Sequence, residues 1–154
     1  MPFDLESLEA FLIRAKALTY ASDGHLAAPS RKGAIDRIFQ QGSFVYRDSL
    51  FDGQMAIGQE MVWFEDLPIW GENYYGQIHR PDLISPEMLD QILRRSMEHM
   101  YHELRFLGAY RQEYEGYVYL DTNTGDMNQF QGLQEITKDG KQVFTMYYHG
   151  GSIA

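Results

Sequence analysis

One segment of this chain occurs twice, and this duplication constrains the fold more than any other feature of the sequence. The residue types between Phe44 and Gly76 recur in the same order between Tyr117 and Gly150. After a one-residue insertion the alignment continues without a gap. Its matched positions include Gly58 with Gly132, Val62 with Ile136, Ile69-Trp70 with Val143-Phe144, and Tyr74 with Tyr148. The duplication predicts two copies of one structural unit within a single domain.

Each copy begins with a predicted helix. Apolar residues recur at helical spacing over about residues 4–20, and again in a segment that Ser85 and Pro86 introduce and Gly108 ends. After each helix the apolar residues alternate with a period of two, which is typical of strands. The repeating unit is therefore one helix followed by three or four antiparallel strands.

The sequence predicts one α+β domain over residues 1–154, with repeat one at about 4–76 and repeat two at about 86–151. We expect two helices to pack on a curled antiparallel sheet with pseudo-twofold symmetry, because this arrangement buries the apolar faces of both copies. The connection from Thr19 to Gly33 is expected to be a long polar loop.

The composition argues against several classes of function. The formal net charge of −9 repels phosphate backbones, so we expect no direct binding of nucleic acid. The absence of cysteine removes disulfides, thiolate catalysis and cysteine metal sites, and it fits a reducing compartment. Asp4, Glu6 and Glu9 stand where a signal peptide would be basic, and no apolar stretch reaches membrane-spanning length. We therefore expect a cytoplasmic protein that does not contact membranes.

A cluster of histidines and glutamates lies on the second predicted helix. Glu98, His99, His102 and Glu103 have spacings that place metal ligands within one helical turn. The apolar positions of this helix put His102 and Glu98 nearly opposite the core, so a solvated surface with ordinary ion pairs is the alternative. We favour the surface, and predict no metal and no cofactor.

Two glutamates occupy nearly equivalent places in the two copies. Glu60 follows Gly58 and Glu135 follows Gly132, and two carboxylates that meet across a twofold axis can act as general acid and base. The alternative is that each glutamate closes a local hydrogen bond or salt bridge, with Arg47 as an obvious partner. We favour this alternative and predict no catalytic residues.

The string from Tyr147 to Gly151 is the most site-like part of the sequence. His149, which titrates near neutral pH, follows two phenols and precedes two glycines that let a ligand approach the backbone. The string from Asn73 to Gly76 is its counterpart in the first copy. A structural histidine on a terminal strand is the alternative.

Aromatic residues are more numerous than a small sheet needs to cover two helices, with 11 Tyr, 9 Phe and 2 Trp. Aromatic side chains around a concave sheet are typical of small-molecule pockets, although cores and subunit interfaces use the same types. The residues that we predict to bind a ligand are Glu60, Trp63, Trp70, Asn73, Tyr74, Glu135, Phe144, Tyr148 and His149.

Several short strings are informative as an ordered set. They are the segment from Leu8 to Ser22, Phe44-Val45-Tyr46-Arg47-Asp48, Gly58-Gln59-Glu60, Gly125-Asp126-Met127-Asn128-Gln129-Phe130, and Tyr148-His149-Gly150-Gly151. In these strings the chain resembles the bacterial and archaeal family of domain of unknown function 5680, with Gln131 where that family has tryptophan. The resemblance implies a compact module that stands alone in some proteins and follows a helix-turn-helix DNA-binding domain in others. It implies no catalytic residues.

These observations favour a small-molecule-binding or sensory module without a DNA-binding domain of its own, with its pocket between the two repeats. The alternative is a structural or interaction module, in which the aromatic residues form the core and a homodimer face. A small hydrolase or isomerase is a third hypothesis, and it needs His149 to converge with Glu60 or Glu135 in a cleft.

Overall fold

The computed structural model describes residues 2–20 and 25–154, and in it each of two helices is followed by a run of antiparallel strands. In these ranges the elements are helix α1 (Leu5–Tyr20), strands β1 (Leu26–Ala27), β2 (Ile35–Gln41), β3 (Phe44–Asp52), β4 (Met55–Phe64) and β5 (Leu67–Ile78), helix α2 (Pro86–Glu103), and strands β6 (Tyr110–Tyr114), β7 (Tyr117–Asp126), β8 (Gln129–Lys138) and β9 (Lys141–Ser152). No helix within these ranges is long and apolar enough to cross a membrane.

The helices begin and end for local reasons. The Ser85 hydroxyl accepts a hydrogen bond from the Met88 backbone N–H at 3.1 Å, which caps the start of α2. Leu104, with φ of 54°, ends this helix before the expected Gly108. Tight turns then join the strands. The turn between β8 and β9 has positive φ at both Asp139 and Gly140, which is the geometry that suits a two-residue hairpin.

All the strands in the described part of the chain belong to one antiparallel sheet, in the order β1-β2-β3-β4-β5-β9-β8-β7-β6. Strands that are consecutive in sequence are neighbours in both halves. Strands β5 and β9 pair in the middle, where Tyr74 lies opposite Tyr148. The first and last parts of the chain therefore meet at the centre of the sheet.

The expected architecture of two helices on units of three or four strands is wrong. Within the described residues, five strands precede α2 and four follow it, and they form one continuous nine-stranded sheet. The extra strand, β1, lies inside the Thr19 to Gly33 connection and pairs with β2. A strand of two residues has no periodicity to detect, and sequence periodicity does not show which strands become neighbours. The proposed repeat limits of about 4–76 and 86–151 stay a prediction.

Both helices cover the same face of the sheet, which we call the inner face. The buried residues of the first cluster are Leu8, Phe11, Leu12, Ile13, Ala15, Tyr46, Val62, Ile69, Trp70, Phe106, Met127, Phe130 and Tyr148. Those of the second are Ile84, Ile92, Tyr117, Tyr119, Ile136, Val143 and Phe144. Helix α1 thus contributes to one cluster and α2 to the other, and each fully buried large apolar side chain contributes about 1.5–3 kcal/mol to stability.

Candidate functional site

A line of ionisable side chains crosses the inner face between the two halves of the core. Arg37, Asp48, Glu60 and Glu72 occupy in-register positions on β2, β3, β4 and β5. We call these four residues the charged row. Directly opposed residues of antiparallel strands project on the same face, with Cβ atoms about 4.5–5.5 Å apart. Three carboxyl groups are therefore neighbours on the face that also carries the core.

Helix α1 supplies a counter-charge to this row. The Lys16 ammonium lies 2.9 Å from Glu60 Oε2 and 2.7 Å from Glu72 Oε2, and only 6% of the residue is exposed. Lys16 follows Leu12 by four residues, so it occupies the buried stripe of the helix. Removing an ammonium from water costs several kcal/mol, which the two carboxyl groups offset.

Three phenols on the inner face donate hydrogen bonds to carboxyl groups of the site. Tyr46 donates to Glu60, Tyr74 donates to Asp48 Oδ1 at 2.7 Å, and Tyr148 donates to Asp121 Oδ1 at 2.6 Å. These bonds fix the phenol hydroxyls over the centre of the inner face.

Glycines on the neighbouring strands make room for two of these phenols. A Cβ atom at Gly58 would lie 2.1 Å from the Tyr74 hydroxyl oxygen, and one at Gly132 would lie 2.1 Å from Tyr148 Cζ. Each glycine is the cross-strand partner of the phenol above it. The missing side chains therefore allow both rings to lie across the sheet.

Burial and neighbouring charges shift the pKa values of the carboxyl groups in the charged row. Burial and the charge of Glu60 raise the pKa of Asp48 to about 7, against the opposing effects of Tyr74 and Lys16. Burial likewise raises the pKa of Glu72 well above its ordinary value. For Glu60, Lys16 and hydrogen bonds outweigh the effect of burial, so its pKa is lowered. The site therefore favours the ionised form of Glu60 beside Lys16 and disfavours the ionised form of Glu72.

A cavity of about 470 Å³ lies over the row, between the two helices and the sheet. The charged row, Lys16 and the three phenols form its polar part. Its apolar wall includes Leu50, Ile78, Leu89, Leu93, Phe144 and Met146. Small-molecule sites typically have volumes of about 300–1,000 Å³ and combine apolar walls with a few placed polar groups.

The residues predicted to bind a ligand divide between this cavity and other places. Glu60, Tyr74, Phe144 and Tyr148 line the cavity. Trp70 does not line it. That side chain is fully buried in the first core cluster, where its indole N–H donates to the Met127 carbonyl at 3.2 Å.

The other four predicted residues lie on the opposite, outer face of the sheet. Asn73 is opposite His149, Glu135 is opposite Thr145, and Trp63 is opposite Val45. Asn73 and His149 line a second cleft of about 450 Å³ on this face. The cause of the division is the period of two, since neighbours such as Asn73 and Tyr74 project to opposite faces.

Glu60 and Glu135 do not meet, and His149 does not converge with either in the inner cavity. In the proposed alignment of residues 44–76 with residues 117–150, the residue that matches Glu60 is Gln134, which lines the cavity. A shift of one residue reverses the face, so Glu135 projects outward. Arg47 pairs with Asp36 and donates to the Ala28 carbonyl at 2.7 Å, so it is not the partner of Glu60.

The histidine and glutamate cluster of α2 lies at the surface. His99 pairs with Glu103 at 2.7 Å, and both side chains are about two-fifths exposed. The His99 ring also stacks on Tyr110, with 4.1 Å between the ring centroids. Among the described residues, no group of three or more histidine or acidic side chains is placed to hold a metal ion.

Sequence reasoning missed Lys16, Arg37, Asp48 and Glu72. One signal was present for each of them: a charged residue stands where the surrounding periodicity calls for an apolar one. Lys16 continues the stripe of Leu12, and Asp48 continues the inward alternation that Tyr46 begins.

The fold and this cavity define an α+β protein in which a single antiparallel sheet and two helices form a cavity with a polar part and an apolar wall. The family described as Domain of unknown function (DUF5680) matches residues 48–153, and the chain belongs to this family. The match confirms the resemblance noted from the sequence. It includes Asp48, Glu60 and Glu72, whereas Lys16 and Arg37 precede it. No curated protein and no solved structure matches the chain.

Proposed function

We propose that this protein binds a small molecule in the cavity over the charged row. The observation that carries the proposal is the set of buried, ionisable groups that line this cavity. Apolar side chains of similar volume often give equal or greater stability than a buried ion pair. The cost of the charged row is therefore understandable if its groups contact a ligand.

Two groups of the row lack full compensation from the protein itself. The raised pKa of Asp48 shows that its surroundings disfavour the ionised form. The Arg37 Nε atom is buried and has no hydrogen-bond partner among the described residues. Perturbed ionisable groups in a cavity are typical of functional sites, although structural networks also produce them. The outer cleft, by comparison, contains no buried charged residue.

A thermal-shift screen against metabolites tests the proposal. A ligand at a hundred times its dissociation constant adds about 2.7 kcal/mol to the folded state, which raises the Tm of a domain of this size by several degrees. We expect the response to disappear in Leu93→Trp, which fills the cavity, and to persist in Leu67→Trp, at a position that is 68% exposed. A ligand that stabilises both variants equally would contradict binding in this cavity, as would a screen in which no compound stabilises the wild type.

The second candidate function is that of an interaction module that forms a homodimer through the outer face. An in-register line of apolar residues crosses five strands there, which are Phe51, Ile57, Tyr75, Tyr147 and Leu133. Ile57 is 55% exposed and Tyr147 is 60% exposed. Contiguous apolar surface of this kind often marks an interface, and we propose a second copy of this chain as the partner.

Sedimentation equilibrium separates the two candidates. A homodimer predicts a mass that rises with protein concentration in the wild type, and a monomer for Tyr147→Glu. Leu67→Glu, an exposed position away from the apolar line, is the control and should sediment as the wild type. A strict monomer at high concentration would eliminate the homodimer and leave the binding proposal intact.

We also propose that the protein works in the cytoplasm as a sensory module. The absence of cysteine supports a reducing compartment. Cell fractionation tests this location, and recovery of the native protein in a membrane or extracellular fraction would contradict it.

A further inference from the structure

The side chains that line the inner cavity carry more acidic than basic groups. Among the described residues, the acidic groups are Asp48, Asp52, Glu60, Glu72 and Asp90, and the basic groups are Lys16, Arg37 and Arg94. Lys16 pairs with Glu60 and Glu72, and Arg94 pairs with Asp90 at 2.8 Å. The basic groups of the cavity are thus largely committed to partners other than Asp48.

Among the three carboxyl groups of the charged row, Glu60 and Glu72 pair with Lys16, and Asp48 is the one without an ion pair among the described residues. It accepts a hydrogen bond from Tyr74, yet no described basic side chain forms an ion pair with it. Arg37 and Lys16 are close enough to lower its pKa, but burial and Glu60 outweigh them. A positively charged group of a ligand would offset the negative charge of the Asp48 carboxylate, as protonation does.

The rest of the cavity also suits a ligand that carries a positive charge and an apolar body. Aromatic faces attract cations, and Tyr46, Tyr74 and Tyr148 line the cavity. The apolar wall around Leu89 and Leu93 can cover a hydrocarbon body. The net charge of −9 attracts cations to the protein and repels anions.

We infer that the ligand is an organic amine, whose protonated nitrogen binds Asp48 and whose apolar body packs against the wall formed by α2. This inference rests on the proposed function, because it names the ligand of the same cavity. A carboxylate ligand would be attracted by Arg37, but it would lie beside Asp48, Glu60 and Glu72. The arrangement therefore favours the amine.

The inference predicts a pH dependence of binding. An ionised Asp48 is required, and its pKa of about 7 means that it goes from one-tenth to nine-tenths ionised between pH 6 and pH 8. The groups that act on it are Glu60, Tyr74 and Arg37 of the sheet and Lys16 of α1. Across the cavity lie Tyr20 of α1, and Asp90 and Arg94 of α2. Affinity for an amine that stays protonated should rise about tenfold over this range.

Calorimetric titration with three matched probes tests the inference, using hexylamine, 1-hexanol and hexanoate. We expect hexylamine to bind the wild type at pH 8 at least tenfold more tightly than either other probe. Asp48→Asn should lose this preference, and Asp66→Asn, in an exposed turn, should keep it. The pH dependence of the wild type gives a second readout that needs no variant.

The outcomes separate the inference from the proposed function. Tighter binding of hexanol or hexanoate, or unchanged binding of hexylamine by Asp48→Asn, overturns the amine and leaves a binding cavity in place. Failure of hexylamine to bind at millimolar concentration also overturns the inference of an amine ligand. A ligand from the thermal-shift screen whose binding is abolished by Leu93→Trp would still support the cavity as a binding site. If neither the thermal-shift screen nor the calorimetric titration detects a ligand of this cavity, the proposal that the cavity is a binding site is rejected.

Discussion

Replacing Lys16 with methionine is the most direct perturbation of the buried network. Methionine keeps the unbranched stem and removes the ammonium that lies 2.9 Å from Glu60 and 2.7 Å from Glu72. Because the charge of Lys16 lowers the pKa of Glu60, the change leaves Glu60 as a buried carboxylate without this counter-charge. Breaking a buried ion pair in this way typically costs about 3–5 kcal/mol.

The pH dependence of this cost follows from the response of Glu60. The least costly response in the variant is to protonate Glu60, which costs about 1.4 kcal/mol for each pH unit above its ordinary pKa of 4.5. The cost is therefore about 3 kcal/mol at pH 7 and below about 1 kcal/mol at pH 5. The folded variant then binds a proton that the unfolded chain lacks, so its stability falls as pH rises.

Urea unfolding followed by circular dichroism measures these free energies of unfolding at both pH values. Lys32→Met removes an exposed lysine and serves as the control, with no expected change. The double variant Lys16→Met with Glu60→Gln should lose most of the pH-dependent deficit, since no carboxylate is left to protonate. An equal deficit for Lys16→Met at pH 5 and pH 7, or one below about 1 kcal/mol at pH 7, would refute this account of the network.

Three further predictions concern single positions. Gly58→Ala should lower the free energy of unfolding by about 1–3 kcal/mol through overpacking, whereas Gly53→Ala, with a nearest contact of 3.6 Å, should not; urea unfolding compares them. Asp48→Asn should raise the free energy of unfolding at pH 8, because the raised pKa of Asp48 makes its ionised form costly there. This gain should vanish near pH 4, and equal gains in urea unfolding at both pH values would contradict the prediction. Trp70→Phe should cost about 1–3 kcal/mol by removing a buried hydrogen bond and volume, and more than Trp63→Phe in thermal melts.

The local elements of this fold were predictable because their signals are local. The first helix was expected over about 4–20 and spans Leu5–Tyr20, and the Ser85 and Pro86 signal marks the start of α2. The Asp139-Gly140 hairpin was also predictable from its turn residues. The strand count was not, since β1 is too short to show a pattern and pairs only because β2 offers a free edge.

The site was harder to predict, because it depends on register. The period of two gave the correct alternation but not its direction in each strand, so residues of both faces entered one predicted pocket. Tyr74 and Tyr148 were included for their aromatic character and do line the cavity, while their neighbours Asn73 and His149 face outward. Arg37, Asp48, Glu60 and Glu72 are far apart in sequence, and only the pairing of four strands brings them into one row.

At the centre of a sheet the covered face is usually apolar and the uncovered face polar, and this sheet shows the reverse. The covered inner face carries the charged row, and the uncovered outer face carries the apolar line through Ile57, Tyr75 and Tyr147. Both features oppose stability as a monomer, since buried charge is costly and exposed apolar area forfeits burial. The two proposals account for these features, since a cationic ligand would contact the inner face and a second copy of the chain would cover the outer one. An increase in stability on ligand binding, without a change in sedimenting mass, would show that the inner face acts independently of the outer one.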